Sequence, residues 1–342
     1  MKKENPQKLI EAELCHPSFL EEQKRKFELD IERLILSRKD EFVTVSCPAC
    51  NSARAVIEFK KYTMTFNRCL ECQTIYVSPR PSEIVLTDYY MNAESYAFWA
   101  EKIFPASESS RRIKIHEPWY SKIKDYCATY NVQCETLLEI GAGFGTFCKV
   151  AQDAGEFENI IAIEPMPKLA EQCLQRGINV LQAPIESISE GLISADIIVT
   201  FEVIEHIFNP TEFVRKIYGF LRPGGLLILS CPNGHGFDIS ILGENSLAVD
   251  AEHINLFNPH SLSTLLEKSG FETLEITTPG RLDAEFVRDA ALQQNLDLSD
   301  NPFLQQVLID DWDKLGWPFQ MFLADNGLSS HMWTVARRPM DL

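Results

Sequence analysis

Five short apolar runs recur through the middle of the chain, and segments with helical spacing separate them. The runs contain few polar positions, which is typical of strands that are buried on both faces of a parallel sheet. They comprise residues 136–140, 160–163, 179–182, 197–201 and 226–230. The helical segments lie near 145–155, 167–176 and 210–221, and Arg222-Pro223-Gly224-Gly225 ends the last of them. This alternation predicts an α/β fold with a doubly wound, Rossmann-like parallel sheet.

The C-terminal part of the chain adds two further strands to this prediction. A helix is predicted after Pro259 and ends at Gly270, where a sixth strand begins and covers residues 271–277. The last strand is predicted at 332–336. Charged and aromatic residues with helical spacing fill positions 281–330 between these two strands. We therefore predict a seven-stranded sheet with a helical insert before its last strand, and the insert serves as a cap or as a dimer surface.

Three segments precede the sheet and divide the N-terminal part of the chain. Residues 1–40 are polar, with an amphipathic pattern from 19 to 36 that predicts a helix packed on the outside of the protein. One face of this helix carries Phe27, Ile31, Leu34 and Ile35. Residues 41–82 contain four cysteines, and residues 83–130 are rich in tyrosine and tryptophan and predict an aromatic, helical lid. The main domain then covers residues 131–342.

Four cysteines form two pairs with the spacing of a zinc site. Cys47 and Cys50 are separated by two residues, as are Cys69 and Cys72. Two such knuckles suit tetrahedral Zn²⁺, and short strands at 55–59 and 64–67 between them predict a zinc ribbon. Two disulfides are the alternative. Four thiolates leave no open coordination position, so we predict a structural zinc ion that supplies folding energy to this small module.

A glycine-rich loop follows the first predicted strand of the sheet. It reads Leu-Leu-Glu-Ile-Gly-Ala-Gly-Phe-Gly over residues 137–145, so Glu139 lies two positions before the first glycine. Glycines allow a tight turn and the close approach of a ligand to the backbone, and the following helix offers free N–H groups. The spacing is G-x-G-x-G, whereas a dinucleotide fold requires G-x-G-x-x-G. About 20 residues later Glu164 ends the second strand, where a carboxylate can accept hydrogen bonds from both ribose hydroxyls.

The glycine loop and Glu164 together resemble the class I S-adenosylmethionine (SAM)-dependent methyltransferases. The resemblance implies that the loop holds the methionine part of SAM and that Glu164 holds its ribose. It also implies that the Glu-x-x-Glu-His stretch of residues 202–206 borders the cofactor pocket. At the end of the third strand, Pro184 stands where many relatives have an aspartate. The residues assigned to the cofactor are Glu139, Gly141, Ala142, Gly143, Gly145, Glu164, Pro165, Met166, Ile185, Glu202 and His206.

Glu252 and His253 follow the fifth strand and are candidates for acid–base chemistry. A histidine that titrates near neutrality and is oriented by a carboxylate suits a general base, whereas a histidine that caps the next helix is the structural alternative. With the cysteine knuckles, this pair resembles the nucleotide-sugar C-methyltransferases, in which a Glu-His pair and tyrosines surround a keto-sugar. Carried over, Glu252 and His253 match the pair and Tyr96 matches a tyrosine after the zinc module. The family's tyrosine just before the pair is Asp250 here, and its long C-terminal α/β domain is missing.

The residues that follow the Glu252–His253 pair do not decide which atom of the acceptor is methylated. The same Glu-His-Ile-Asn-Leu-Phe stretch also resembles the ubiquinone-type O-methyltransferases, so transfer to carbon and transfer to oxygen both remain as predictions. Glu202 and His206 are four residues apart, a spacing that would place them on one face of a helix. We expect this pair to brace the cofactor pocket rather than to transfer a proton.

The charge of the chain limits the partners that it can bind. The formal net charge is −17 over 342 residues, which disfavours a general nucleic-acid surface and an anionic membrane surface. No apolar run has signal-peptide or membrane-spanning length, so we expect a cytoplasmic protein. The leading hypothesis is methylation of a small, sugar-like metabolite. The alternatives are an RNA methyltransferase whose zinc ribbon grips nucleic acid and a scaffold without activity.

Overall fold

Two β-sheets organise residues 11–189 and 191–340, which the computed structural model describes. Residues 1–10 of the predicted N-terminal helical segment lie outside the described residues. The strands in chain order are β1 (Ala55–Lys61), β2 (Met64–Cys69), β3 (Ile75–Val77), β4 (Thr136–Ile140), β5 (Asn159–Ile163), β6 (Asn179–Leu181), β7 (Ala195–Phe201), β8 (Leu221–Pro232), β9 (Asn255–Leu256), β10 (Glu272–Thr277) and β11 (His331–Arg337).

The larger sheet has seven strands in the order β10-β11-β8-β7-β4-β5-β6. Strands β8, β7, β4, β5 and β6 are parallel, whereas β11 runs antiparallel to both β8 and β10. The register places Leu137 of β4 beside Ile160 of β5 and Ile197 of β7. The central strands are buried on both faces because helices cover both sides of the sheet, which explains their apolar sequences. The predicted Rossmann-like sheet is therefore confirmed.

Helices surround the larger sheet and fill both the N-terminal segment and the insert. The longer ones are Pro17–Asp30, Glu83–Asn92, Phe104–Arg111, Glu117–Tyr130, Thr146–Ala154, Pro167–Gln175, Pro210–Phe220, Pro259–Lys268, Asp283–Leu292 and Trp312–Asp325. Shorter helical segments are Glu11–Leu14, Ile31–Ile35, Leu36–Glu41, Glu94–Phe98, Trp99–Ile103, Arg112–His116, Ile185–Ser187, Ile204–His206, Phe237–Leu242, Gly243–Asn245, Pro302–Gln305 and Gln306–Asp310. In the described part of the chain, no helix has both the length and the apolar character that crossing a membrane requires.

The insert between β10 and β11 is helical, as its spacing predicts. Its helices pack around a small apolar cluster of their own that includes Val287 and Leu308 and extends to Leu242. A buried carboxylate, Asp283, accepts a hydrogen bond from the Ser329 hydroxyl at 2.5 Å and fixes the start of β11 relative to the insert. The role of the insert as a cap or as a dimer surface stays a prediction.

The junction before β8 differs from its predicted form. The helix ends at Phe220, and β8 begins at Leu221, so Arg222-Pro223-Gly224-Gly225 lies in the extended strand and not in a separate loop. Leu221 is buried and pairs with Ala195 of β7, and the Gly224 N–H donates to the Arg338 carbonyl at 2.8 Å. The buried leucine and this pairing extend the strand beyond its predicted start at residue 226.

The smaller sheet joins the cysteine-containing module to the main domain. It has four antiparallel strands in the order β1-β2-β3-β9. Its last strand, β9, belongs to the main domain and pairs Leu256 with Ile75 and Asn255 with Tyr76. The segment directly after Glu252 and His253 is therefore an edge strand of the ribbon sheet.

Arg80 strengthens this junction from the end of the ribbon module. Its guanidinium is buried and donates hydrogen bonds to three carbonyl groups, those of Val77 at 3.1 Å, Phe208 at 3.1 Å and Ile254 at 3.4 Å. These carbonyls belong to the ribbon, to the loop after β7 and to the segment before β9. One side chain thus holds together three parts of the chain that are far apart in sequence.

We expect Arg80→Ala to lower the free energy of unfolding by roughly 2–4 kcal/mol, because buried carbonyls lose charge-assisted hydrogen bonds. The measurement is urea denaturation followed by circular dichroism. Arg54→Ala is the matched control, since Arg54 is an exposed residue that forms an ion pair with Glu71, and its removal should cost less than about 1 kcal/mol. Equal losses in the two variants would contradict the structural role of Arg80.

Candidate functional site

The glycine loop lies at the carboxyl end of β4 and turns into the helix Thr146–Ala154. Gly141 and Gly143 have φ angles of +74° and +54°, which side chains with a Cβ adopt rarely. A Cβ on Gly141 would lie 2.5 Å from Val203 Cγ2, so this glycine allows the loop after β7 to approach. A Cβ on Gly143 would meet no atom within 4 Å, which means that the backbone there borders open space. This open backbone is the part of the loop that a ligand can approach.

Glu164 connects the end of β5 with the glycine loop. Its carboxylate is only 4% exposed and accepts hydrogen bonds from the Gly143 N–H at 2.8 Å and the Met166 N–H at 2.9 Å. Burial raises the pKa of Glu164 to about 7, and the two backbone donors counteract this shift. Each carboxylate oxygen has a further lone pair, so the group can accept hydrogen bonds from vicinal hydroxyls. The site therefore fits the ribose of SAM.

Glu139 lies beneath the loop and stabilises the start of the following helix. Its buried carboxylate accepts a hydrogen bond from the Cys148 N–H at 3.2 Å, in the first turn of that helix. Burial raises the pKa of Glu139 to about 8. Its position fits a brace for the loop, and its predicted contact with the cofactor stays a prediction.

Residues of the 83–130 segment cover the glycine loop. The Phe104 ring stacks on Phe144 with ring centroids 3.6 Å apart, and the Trp99 ring packs against both rings. Glu108 accepts a hydrogen bond from the Thr146 hydroxyl at 3.3 Å and forms an ion pair with Arg176. The helices of this segment thus cover part of the glycine loop, and their role as a lid stays a prediction.

The remaining cofactor candidates lie around the same edge of the sheet. Pro165 and Met166 follow Glu164, and Ile185 is buried in the short helix Ile185–Ser187 after β6. Glu202 has a φ angle of +55° and accepts a hydrogen bond from the Ser230 hydroxyl at 2.6 Å. The His206 ring packs against the rings of Tyr90 and His253. The idea that Glu202 and His206 share a helix face is wrong, because only the short helix Ile204–His206 forms after the strained Glu202 backbone.

A second group of polar side chains meets where the lid faces the loop before β9. Glu252 is 8% exposed, and its two carboxylate oxygens accept hydrogen bonds from the Tyr89 and Tyr96 hydroxyls, each at 2.5 Å. Burial is the main cause that raises the pKa of Glu252 to about 7, and the nearby charge of Asp250 contributes to the shift. Two tyrosines of the lid are therefore bound to the carboxylate of the Glu-His pair.

His253 is oriented by Asp250 and not by Glu252, which corrects the role predicted for Glu252. The His253 Nδ1 lies 2.9 Å from the Ala248 carbonyl oxygen and 3.5 Å from Asp250 Oδ2. Asp250 Oδ1 also accepts hydrogen bonds from the backbone N–H groups of Glu252 and His253. Burial acts to lower the pKa of His253, but the charges of Asp250 and Glu205 outweigh it and raise this pKa to about 9.

Asn255 holds the two histidine-containing stretches together. Its side-chain amide is fully buried and donates to the carbonyls of Ile204, Glu205 and Ile207, the last at 2.8 Å. The rings of His206 and His253 consequently lie 4.8 Å apart, and Glu205 lies beside them. Ligand atoms of Glu205, His206 and His253 all lie within 4.8 Å of one another, so this group can hold a cation.

The four predicted zinc ligands meet at one point of the ribbon. All their sulfur atoms lie within 4.8 Å of one another, and the Cys47–Cys72 and Cys50–Cys69 pairs are each 3.5 Å apart. A tetrahedral ion with Zn–S bonds of about 2.3 Å requires sulfur atoms about 3.8 Å apart, so the arrangement fits Zn²⁺. Each knuckle closes in the same way, with Asn51 and Gln73 at positive φ. The cysteines are free thiols, which removes the alternative of two disulfides.

Three residues of the site were missed or undervalued at the sequence level. Tyr89 precedes Tyr96 by seven residues, a spacing that could have indicated that both face the same side of the lid. Asp250 stands where the nucleotide-sugar enzymes have a tyrosine. Its role in the turn depends on hydrogen bonds to the backbone that the sequence does not show. Glu205 gives no sequence signal beyond its place in the Glu-x-x-Glu-His stretch.

The fold and the site together resemble those of the class I SAM-dependent methyltransferases. Residues 111–276 match the family model of a methyltransferase domain. A Mycolicibacterium smegmatis protein named "Probable S-adenosylmethionine-dependent methyltransferase" is 26% identical over 179 residues, which cover 50% of this chain and 64% of that protein. The ubiquinone biosynthesis O-methyltransferase of Caulobacter sp. (strain K31) is 36% identical over 106 residues, which cover 28% of this chain and 40% of that protein.

Among solved structures, a SAM-dependent methyltransferase from Clostridium acetobutylicum aligns with a TM-score of 0.45 at 10% identity, covering 66% of this chain and 92% of that chain. The chain spans less than two thirds of the length of both sequence relatives. The matched segment contains the glycine loop, Glu164 and both Glu-His motifs. This segment of the chain is thus similar to SAM-dependent methyltransferases.

We expect Glu164→Ala to raise the Kd for SAM roughly 10–100-fold, because the ribose hydroxyls lose a charged hydrogen-bond acceptor. Isothermal titration calorimetry with SAM measures the effect. Glu171→Ala removes an exposed carboxylate from the helix Pro167–Gln175 and should leave the Kd unchanged. An unaltered Kd in the Glu164 variant would place the ribose elsewhere.

Metal analysis of the purified protein should give about one Zn²⁺ per chain, because the four thiolates meet with tetrahedral spacing. Cys72→Ser should reduce the zinc content and make the ribbon sensitive to proteolysis. Cys134→Ser serves as the control, since Cys134 is a free thiol outside the cluster. A folded wild-type chain without zinc would refute the assignment.

Proposed function

We propose that this protein transfers the methyl group of SAM to a small, sugar-like metabolite that binds between the glycine loop and Glu252. The observation that carries the proposal is the pair of 2.5 Å hydrogen bonds that Tyr89 and Tyr96 of the lid donate to Glu252. An acceptor hydroxyl can take the place of either tyrosine hydroxyl on the carboxylate. The tyrosine rings offer flat apolar surfaces of the kind against which the C–H groups of a sugar pack.

The reaction requires alignment, the exclusion of water and the removal of one proton. SAM supplies an electrophilic methyl group on a sulfonium, which becomes a neutral thioether when the methyl group leaves. The glycine loop and Glu164 hold the cofactor, and Phe104 and Trp99 cover the loop. Glu252 accepts the proton that the acceptor loses, and Tyr96 positions the acceptor against this carboxylate. We assign proton removal to Glu252 and not to His253, the base that the sequence suggests, because the charges of Asp250 and Glu205 raise the pKa of His253 to about 9 and favour its protonated form.

The charges of the ribbon argue against the alternative of an RNA substrate. Arg54 pairs with Glu71 and Arg68 pairs with Glu58 within the ribbon itself. The Lys61 ammonium donates hydrogen bonds to the carbonyls of Ser246 and Val249, the latter at 2.6 Å. These side chains are engaged within the protein and contribute little to a phosphate-binding surface. A small acceptor is therefore the better-supported substrate class.

The acceptor class can be tested with labelled SAM and a cell extract that is separated into nucleotide-sugar, lipid, RNA and protein fractions. We expect the label in the fraction of small anionic metabolites. Label in RNA would contradict the proposal and favour the ribbon as a nucleic-acid module. A protein that binds SAM but transfers label to no fraction would contradict the proposal and favour the alternative of a scaffold without activity.

With the labelled fraction as acceptor, Glu252→Gln should lower turnover by roughly 10²–10⁴-fold, because an amide cannot accept the proton. The Kd for SAM should stay within about twofold of the wild-type value, since Glu252 lies outside the glycine loop. The matched control is Glu244→Gln, an exposed carboxylate in the short helix Gly243–Asn245 that precedes the Glu-His pair. Unchanged turnover of the Glu252 variant would exclude its role in proton removal.

A further inference from the structure

A cluster of buried polar atoms beside the acceptor site has no hydrogen-bond partner. Both carboxylate oxygens of Glu205, the His206 Nδ1 and the Tyr90 hydroxyl are buried and unbonded. Glu205 is 0% exposed, and a carboxyl group that is buried without a hydrogen-bond partner destabilises the folded state. Buried polar groups in folded proteins are almost always satisfied. These neighbouring atoms therefore indicate that the cluster binds a ligand with positive charge.

The donor set of the cluster matches that of a divalent cation. Glu205 offers carboxylate oxygens, and His206 and His253 offer imidazole nitrogens, all within 4.8 Å of one another. The distance from a Glu205 oxygen to the His206 Nε2 is 3.9 Å. Metal bonds of about 2.0–2.2 Å place neighbouring ligand atoms roughly 3–3.5 Å apart, so small side-chain rotations close the site. Two imidazoles and one carboxylate leave further coordination positions open.

The surroundings of His253 provide an independent indication. Its Nδ1 lies 2.9 Å from the Ala248 carbonyl oxygen, which only accepts hydrogen bonds, so Nδ1 carries the proton. A cation that takes the place of the Nε2 proton can then bind the lone pair on Nε2. A metal-binding histidine usually donates its other N–H to a carbonyl or carboxylate in this way, and here Ala248 and Asp250 supply both. Asn255 fixes the backbone of Glu205 against the segment that carries His253.

We propose that Glu205, His206 and His253 bind a divalent cation of the Zn²⁺ or Mn²⁺ type next to Glu252. The role of this cation in methyl transfer rests on the proposed function, whereas its binding does not. A cation at this position coordinates an acceptor oxygen and lowers the pKa of that hydroxyl. The C–S bond of SAM breaks as the C–O bond forms, and the hydroxyl proton passes to Glu252. The cation thus favours an acceptor that is methylated on oxygen.

The test is a titration of the zinc-loaded protein with Mn²⁺, in which electron paramagnetic resonance measures the free ion. We expect one Mn²⁺ per chain in addition to the zinc of the ribbon, and Zn²⁺ should displace it. Glu205→Gln and His253→Ala should each raise the Kd for Mn²⁺ at least about tenfold, because even partners outside the ligand shell change metal affinity 10–100-fold. His260→Ala changes an exposed histidine outside the cluster and should bind as wild type does.

The Kd for SAM and the circular dichroism spectrum of each variant distinguish a lost ligand from a lost fold. A wild-type protein that binds neither Mn²⁺ nor Zn²⁺ outside the ribbon site would overturn the proposal. In that case Glu205 and the two histidines would be stabilised by a shared proton and not by a cation. Binding that survives both ligand substitutions would overturn it as well. Mn²⁺ binding without any methyl transfer would retain the cation site and reject the proposed function.

Discussion

The pairing of β9 with β3 is the interaction on which the position of the Glu252–His253 loop depends. Two residues, Asn255 and Leu256, form the whole of β9, yet they complete the ribbon sheet from within the methyltransferase domain. So short a strand is not stable by itself, and the structure reinforces it from both sides. Arg80 binds the carbonyl just before it, and the Asn258 side chain donates to the Cys72 carbonyl at 2.9 Å just after it. The cysteine-containing ribbon therefore acts as a scaffold for the Glu252–His253 loop.

A second constraint is the number of carboxylates that the sheet buries at one edge. Glu139, Glu164 and Glu252 are each less than a tenth exposed, and each receives hydrogen bonds that compensate for part of the lost hydration. The donors differ in kind, because backbone N–H groups serve Glu139 and Glu164 whereas tyrosine hydroxyls serve Glu252. Glu205 belongs to the same edge and has no such donor. Burial raises the pKa of this carboxyl group well above its usual value, and the proposed cation is a partner that would favour its charged form.

The sequence predicts the two modules well and their connection poorly. The apolar runs of β4, β5, β7 and β8 locate the sheet because parallel strands are buried on both faces, and C-x₂-C spacing locates the ribbon because tetrahedral ligands need tight turns. The pairing of β9 with β3 has no local signal, since a two-residue strand carries no periodicity. The partners of Glu252 have no local signal either. The sequence suggests that Glu252 contacts the neighbouring His253, whereas its hydrogen bonds come from Tyr89 and Tyr96. Such contacts join residues more than 150 positions apart.

The position of Asp250 shows how a departure from the nucleotide-sugar pattern is accommodated. A tyrosine at this position would bring a hydroxyl to the pair, whereas Asp250 forms a turn by accepting the N–H groups of Glu252 and His253. The carboxylate of Glu252 nevertheless has two tyrosine donors, because the lid contributes Tyr89 as well as Tyr96. Both donors therefore belong to a segment that also covers the glycine loop through Trp99 and Phe104. Under the proposed function, the same segment would therefore border both the cofactor and the acceptor.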